Sequence, residues 1–178
     1  MATIKVSPKS ASARALGPQT VRYGVIGSGM MGHEHMRNIA LLEGASVSAI
    51  SDPDASMRHS AQTLAGGCPA FHDHRELIAA DLCDAYLIAS PNHTHHGVMK
   101  DVLASGKPLL VEKPLATTVD HCKELVRAAG GSEDRVWVAM EYRYMPPVQR
   151  LMQELAGGTA GRLHMIAIRE HRFPFLGK

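Results

Sequence analysis

The tightest constraint on this chain is the stretch from Val21 to Gly32, V-R-Y-G-V-I-G-S-G-M-M-G. An apolar run ends at Ile26, and Gly27, Gly29 and Gly32 follow at G-x-G-x-x-G spacing. Each glycine at that spacing has a physical use. The first permits a tight turn from strand to helix, the second lets the backbone approach a pyrophosphate, and the third lets helix and strand pack closely. The N-terminus of the next helix offers N–H donors and a partial positive charge to phosphates. The backbone N–H groups of Met30 and Met31 are expected to face the pyrophosphate while their side chains pack. Ser28 does likewise, or bonds a phosphate through its hydroxyl. A second apolar run closes at Asp52, 20 residues after Gly32, where a carboxylate can accept hydrogen bonds from a ribose diol. Turn glycines alone explain a lone G-x-G-x-x-G. A strand before, a helix after and an acid downstream point instead to dinucleotide binding.

Asp54 is better placed than Asp52 to cap the next helix, which leaves Asp52 for the ribose. An acid there repels a 2′-phosphate, so NAD is expected over NADP. Arg58 lies close enough in sequence to leave NADP open.

After the glycine turn, apolar runs alternate with helical patterns. Strands are expected at Val21–Ile26, Ala45–Ser51, Pro69–Phe71, Ala85–Ala89, Pro108–Val111 and Val136–Met140. Helices are expected at Met30–Leu42, Ala55–Ala65, from the Asp73 cap to Ala80, at Gly97–Ala104, and from Thr118 or Asp120 to Ala129. This order implies an α/β fold, a doubly wound and mostly parallel sheet with helices on both faces, over residues 21–141. In such sheets ligands bind beyond the carboxyl ends of the strands. The unusual polar clusters all fall at that edge: the glycine turn, Asp52, Ser90–His96 and Glu112–Pro114. Residues 142–178 read differently. Pro146-Pro147 opens a helix to about Ala156, then comes a glycine-rich loop, and Leu163–Ile168 is a strand candidate. One helix and one strand cannot bury a core of their own, so 142–178 reads as the incomplete start of a second α/β domain. Its apolar strand would present an unpaired edge.

Residues 1–20 read as a disordered tail, since Ala- and Ser-rich composition buries too little surface to order itself. The tail holds Lys5, Lys9 and Arg14 and no acid, and without it the chain has 16 basic against 17 acidic residues. No basic field suggests nucleic acid, and three Phe and one Trp offer few stacking rings. No apolar run approaches the ~20 residues that span a bilayer. Cys68, Cys83 and Cys122 are widely spaced, which fits a reducing, cytoplasmic setting. His72, His74, His93, His95 and His96 suggest a metal cluster, yet all fall where turns and helix starts already account for them, so no metal is expected.

Taken together, G27-S-G-M-M-G32, the S-D-P-D stretch at the end of the second strand, S90-P-N-H-T-H95, G106-K-P-L-L-V-E-K-P-L115 and E141-Y-R-Y-M-P146 resemble the Gfo/Idh/MocA family of nicotinamide-dependent oxidoreductases. The resemblance implies an N-terminal Rossmann domain and a C-terminal sheet domain. It implies hydride transfer between NAD or NADP and a sugar, cyclitol or related polyol. It makes Lys113, the lysine of E-K-P, the catalytic group beside nicotinamide and substrate, with the Lys113–Pro114 peptide a candidate for the cis form. It assigns Ser90, Pro91 and Asn92 to the cofactor lining, His95 to a polar position near the cofactor, and Tyr142 and Arg143 to the nicotinamide end. The residues themselves leave Glu112 either orienting Lys113 or pairing with it on the surface. Family members are longer, and their sheet domain supplies a His that serves as general acid/base. The chain shows no match to that element after residue 146, so little turnover is expected from these residues alone. A homo-oligomer is expected only of a full-length form. The alternative is a non-catalytic, nucleotide-binding or regulatory short form.

Overall fold

A computed structural model describes residues 20–159 and 161–171. They divide into two units between Ala139 and Met140. All but Thr20 of the expected tail lies outside the described residues.

The first unit alternates strand and helix. Its elements are β1 (Val21–Ile26), α1 (Met30–Ala40), β2 (Ala45–Ser51), α2 (Ala55–Leu64), β3 (Ala70–Phe71), α3 (His74–Ala79), β4 (Ala85–Ile88), α4 (His95–Ala104), β5 (Leu109–Val111), α5 (Val119–Ala129) and β6 (Val136–Val138). Short 3-10 turns precede α4 at Asn92–Thr94 and β6 at Glu133–Arg135. The strands form one sheet in the order β3-β2-β1-β4-β5-β6, every pair parallel. The chain winds outward from β1 through β2 to β3, then returns to β4 on the other side of β1. The β1/β4 boundary is therefore a topological switch point, where a crevice opens at the carboxyl edge.

Side-chain alternation along the strands splits the core in two. Val25, Ile50 and Leu87 pack with Met36, Ile39 and Ala61 of α1 and α2. Ile26, Ile88 and Val111 pack with Leu77, Val98, Val102 and Leu125 of α3, α4 and α5. Burial on both faces explains why β4 reads as the unbroken apolar run A-Y-L-I.

Side-chain caps fix the helix starts. Asp54 accepts the Met57 N–H at 2.9 Å and Asp73 accepts the Arg75 N–H at 2.8 Å. Thr118, rather than Asp120, caps α5 through the His121 N–H. Several boundaries differ from expectation, and at two helices the difference is two residues. Helix α4 opens at His95 rather than near Gly97, because the 3-10 turn already winds the chain into it. Helix α1 stops at Ala40. Its buried stripe is Gly32, Met36 and Ile39, and Leu41 and Leu42 are exposed.

The second unit contains a 3-10 turn at Glu141–Tyr144 and α6 (Pro146–Ala156), opened by its prolines. The expected strand at Leu163–Ile168 does not form. The segment carries no strand assignment, and among the described residues no neighbouring strand pairs with it. An apolar run suited to a strand needs a ladder partner for its N–H and C=O groups. Leu163, Met165, Ile166 and Ile168 are exposed. No helix among the described residues is long and apolar enough to cross a membrane.

At the amino edge of the sheet, Arg22 grips both carboxylate oxygens of Asp84, with Nε–Oδ2 3.1 Å and Nη2–Oδ1 2.8 Å. The Arg22 N–H adds a third bond at 2.9 Å. These bonds hold the Asp84 carboxyl down at about 2. A depressed carboxyl contributes stability above its unfolded pKa, ~3.9, which is lost as pH falls through the folded value. Asp84→Asn is therefore expected to lower stability at neutral pH, with the difference from wild type shrinking between about pH 4 and pH 2. Urea titrations across that range will show it, and a pH-independent difference would refute it.

Tyr86 is fully buried, and its ring occupies space that a side chain on Gly24 would need. Its hydroxyl has no hydrogen-bond partner, and burial pushes its pKa up to about 12. An unpaired buried hydroxyl costs ~1–3 kcal/mol of desolvation. Tyr86→Phe should therefore stabilise the fold by about 1 kcal/mol, measurable by chemical denaturation. A loss of stability would contradict the assignment.

Candidate functional site

The carboxyl edge of the first unit's sheet opens into a cavity of about 800 Å³ at the switch point. The glycine turn forms one wall. Gly27 turns the chain at φ +94°, and a Cβ there would lie 2.5 Å from the Ser90 backbone nitrogen. A Cβ on Gly32 would lie 2.1 Å from the Gly27 carbonyl oxygen. A Cβ on Gly29 would meet nothing within 4 Å. Two of the three glycines are thus required by neighbouring main chain, while the second faces open space beside the cavity. Gly29 is also the N-cap of α1. No side chain caps that end, and no acid lies in the first turn. The first N–H groups of a helix have no intrahelical acceptor, so this end is left for an external anion. Gly27, Gly29, Met30 and Met31 all line the cavity. These features fit a dinucleotide: open space at Gly29 and a positive helix end.

Asp52 also lines the cavity. It is not loose, as its sequence position alone suggests. Its Oδ2 accepts the Ser28 N–H at 2.7 Å and its Oδ1 accepts the Asp54 N–H at 2.9 Å. Each carboxylate oxygen keeps a second lone pair, so the group can still accept from a diol. Arg58 Nη1 donates to the Asp52 carbonyl at 2.6 Å, which engages the nearby cation with main chain. Ser28 itself is fully buried and its hydroxyl has no partner. It sits behind the turn rather than on the cavity wall, so its contribution is the N–H that holds Asp52.

Ser90 and Pro91, after β4, line the opposite wall. Ser90 Oγ and Thr94 Oγ1 are 2.7 Å apart, which closes the loop. Asn92 is exposed in the 3-10 turn and does not line the cavity. His95 is fully buried. Its Nδ1 lies 2.8 Å from the Pro114 carbonyl oxygen and its Nε2 2.9 Å from that of Ser90. Both ring nitrogens face main-chain carbonyls, to one of which a neutral ring donates, and His95 does not line the cavity. Glu112 is buried too, and it pairs with His35 Nε2 at 2.8 Å. Its other oxygen accepts the Lys113 N–H at 3.2 Å. The His35 pairing is neither of the two roles the sequence left open. Lys113 is exposed, the Lys113–Pro114 peptide is cis, and neither Glu112 nor Lys113 lines the cavity. Arg143 belongs to the second unit.

Sequence reasoning missed the wall at the end of β3. His72, Asp73, His74 and Arg75 all line the cavity. His74 Nε2 and Arg75 Nε both reach Asp101 Oδ2, at 2.8 and 3.1 Å. The Arg75 backbone N–H, aided by the adjacent His74, holds the Asp73 carboxyl below the usual carboxylate range. The signal was available: in an all-parallel sheet the segment after β3 opens on the same edge as the glycine turn. Of the five histidines, His74, His95 and His96 bond different partners. His96 stacks on His121 at 4.0 Å and bonds Glu124 at 2.9 Å. No group of three or more candidate metal ligands gathers among the described residues.

A family model described as "Oxidoreductase family, NAD-binding Rossmann fold" matches residues 21–140. An inositol 2-dehydrogenase of Corynebacterium glutamicum is 35% identical over 162 residues, covering 90% of this chain and 48% of that protein. An inositol 2-dehydrogenase/D-chiro-inositol 3-dehydrogenase of Shouchella clausii is 40% identical over 145 residues, covering 78% of this chain and 42% of that protein. The crystal structure of myo-inositol dehydrogenase from Lactobacillus casei, in complex with NAD(H) and myo-inositol, superposes with a TM-score of 0.74 at 29% identity, over 79% of this chain and 42% of that one. The chain spans about half the length of the curated relatives it matches.

The glycine geometry separates folding from binding. Gly32→Ala is expected to destabilise the fold by ~3 kcal/mol, since the added carbon meets main chain that cannot move aside. Gly29→Ala should cost only about 1 kcal/mol as a poorer N-cap and weaken NADH binding by about tenfold. Thermal melts alongside fluorescence titration will distinguish the two. A loss of stability in Gly29→Ala as large as that of Gly32→Ala would refute the assignment of that space to a ligand.

Proposed function

Because this chain belongs to the Gfo/Idh/MocA family of NAD-binding oxidoreductases, we propose that its first unit is the cofactor-binding half of a dehydrogenase acting on a cyclitol, a sugar or a related polyol. The cyclitol reading draws on the relatives, which include inositol dehydrogenases. The observation that carries the cofactor assignment is the contrast among the three glycines, two closed against main chain and one open beside the cavity.

In this reading the N–H groups at the start of α1, around Met30 and Met31, hold the pyrophosphate. Asp52, already oriented by two backbone donors, accepts from the ribose diol of NAD and opposes the 2′-phosphate of NADP. Ser90 and Pro91 shape the wall toward the nicotinamide, and Asn92 flanks it. Bound NAD supplies the hydride acceptor. Lys113 lies beside the substrate oxygen, where its ammonium stabilises alkoxide charge as the carbinol is oxidised. Arg143 is assigned to the nicotinamide end on the family pattern. The proton acceptor that completes the reaction is assigned to a C-terminal sheet domain. Residues 142–178 are read as the beginning of that domain, which would also mediate homo-oligomer formation. The setting is read as cytoplasmic, in keeping with three free cysteines.

Titration of the purified chain with NADH and NADPH tests the cofactor assignment. Saturable NADH binding is expected, at least about tenfold tighter than NADPH. Asp52→Asn should narrow that ratio, chiefly by weakening NADH. Absence of saturable binding, or tighter NADPH binding, would overturn the reading.

A further inference from the structure

Histidines from two different helices converge on Glu112-Lys113-Pro114. On the amino side, His35 Nε2 meets Glu112 Oε1 at 2.8 Å, and Glu112 Oε2 accepts the Lys113 N–H at 3.2 Å. On the carboxyl side, His95 Nδ1 meets the Pro114 carbonyl oxygen at 2.8 Å. The segment that carries Lys113 is thus held at both ends by side chains anchored elsewhere.

The anchors are the two walls of the cavity. His35 stands on α1, three residues after Gly32, on the helix whose N-terminus flanks the cavity. His95 opens α4, and its Nε2 lies 2.9 Å from the carbonyl oxygen of the cavity-lining Ser90. Glu112 is 6% exposed and His95 0%. Burying polar groups to this depth is costly unless each is satisfied, and well-packed apolar residues often serve stability as well or better. The chain instead buries Glu112 within one three-residue segment and directs His35 and His95 at its two ends.

We propose that His35, acting through Glu112, and His95, acting on the Pro114 carbonyl, are positioning residues that fix Lys113 relative to both walls of the cofactor cavity. The proposal rests on the reading that Lys113 meets the nicotinamide end of the cofactor. Neither histidine touches the reacting atoms. Each restricts where the Lys113 main chain, and hence its side chain, is carried. Removing the donor from His35 leaves the Glu112 carboxylate buried without its partner and frees the Lys113 amide to move with it. Removing the His95 ring releases the Pro114 carbonyl and loosens the Ser90 loop.

The test compares two ligands on the 178-residue chain: NADH, and ADP-ribose, which has the pyrophosphate and both riboses but no nicotinamide. A purely structural role would weaken both together. His35→Ala and His95→Gln are expected to weaken NADH about tenfold and to move ADP-ribose less than about twofold. His35→Gln keeps an N–H that can reach Glu112 and should restore NADH binding to near the wild-type level. Parallel loss of both ligands, or no change in either, overturns the proposal. His95→Gln is the variant at risk of misfolding. His35 is 18% exposed at its side chain, and the His35→Ala and His35→Gln pair decides the matter alone if circular dichroism shows His95→Gln unfolded. Lys113→Ala separates the proposal from the reading beneath it. If Lys113→Ala leaves the NADH to ADP-ribose ratio at the wild-type value, the Lys113 assignment fails and the frame with it. If Lys113→Ala lowers the ratio while the histidine variants do not, the frame alone fails.

Discussion

Main chain packed on main chain at Gly27 governs the first unit. The turn after β1 lies so close to Ala89 and Ser90 that a methyl group cannot be inserted, and the start of α1 presses on the Gly27 carbonyl just as closely. These contacts exist only because β1 and β4 are neighbours in the sheet. The strand order brings two loops together from opposite directions, and glycine lets them touch. The cavity begins where that contact ends. Without the close approach, the end of α1 and the loop after β4 would stand further apart, and one small molecule could not bridge them.

Around this contact the polar groups are assigned with little redundancy. Asp54, Asp73 and Thr118 cap helices. Asp52 spans the glycine turn and the start of α2. His33 joins α1 to α2 through the Gly29 carbonyl and Ser60, and His35, on another face of the same helix, joins α1 to Glu112. Histidines two positions apart thus serve opposite directions, because each helical step turns the side chain by about 100°. The positive helix end is left without a side-chain partner, an unsatisfied feature of that wall beside the unpartnered Ser28 hydroxyl.

Much of this was legible in the sequence because it depends on local chemistry. Apolar runs broken by Gly, Pro and Asp mark strands and caps, and alternation of strand and helix dictates a parallel sheet at whose carboxyl edge Gly27, Asp52 and Ser90 line the cavity. What escaped were interactions across long sequence separations. No periodicity reveals that His35 will find Glu112, 77 residues on, or that His95 will turn inward between two carbonyls. The His72–Arg75 wall escaped although its strand was expected, because its residues were already accounted for as a turn and a helix cap. The strand expected at Leu163–Ile168 failed for a different reason: its composition suits a sheet, but a sheet is a property of neighbours and not of a segment.

The carboxylate of Asp52 has a consequence for how such a site can change. Its two backbone bonds mean that the residue proposed to meet the ribose is also a strut of the glycine turn. Exchanging it for a small or cationic residue to welcome a 2′-phosphate would remove a charge and, in the same step, release the Ser28 amide and the start of α2. On the proposed reading, cofactor choice and loop geometry are coupled through one side chain, and a switch of preference requires a second substitution that rebuilds the strut.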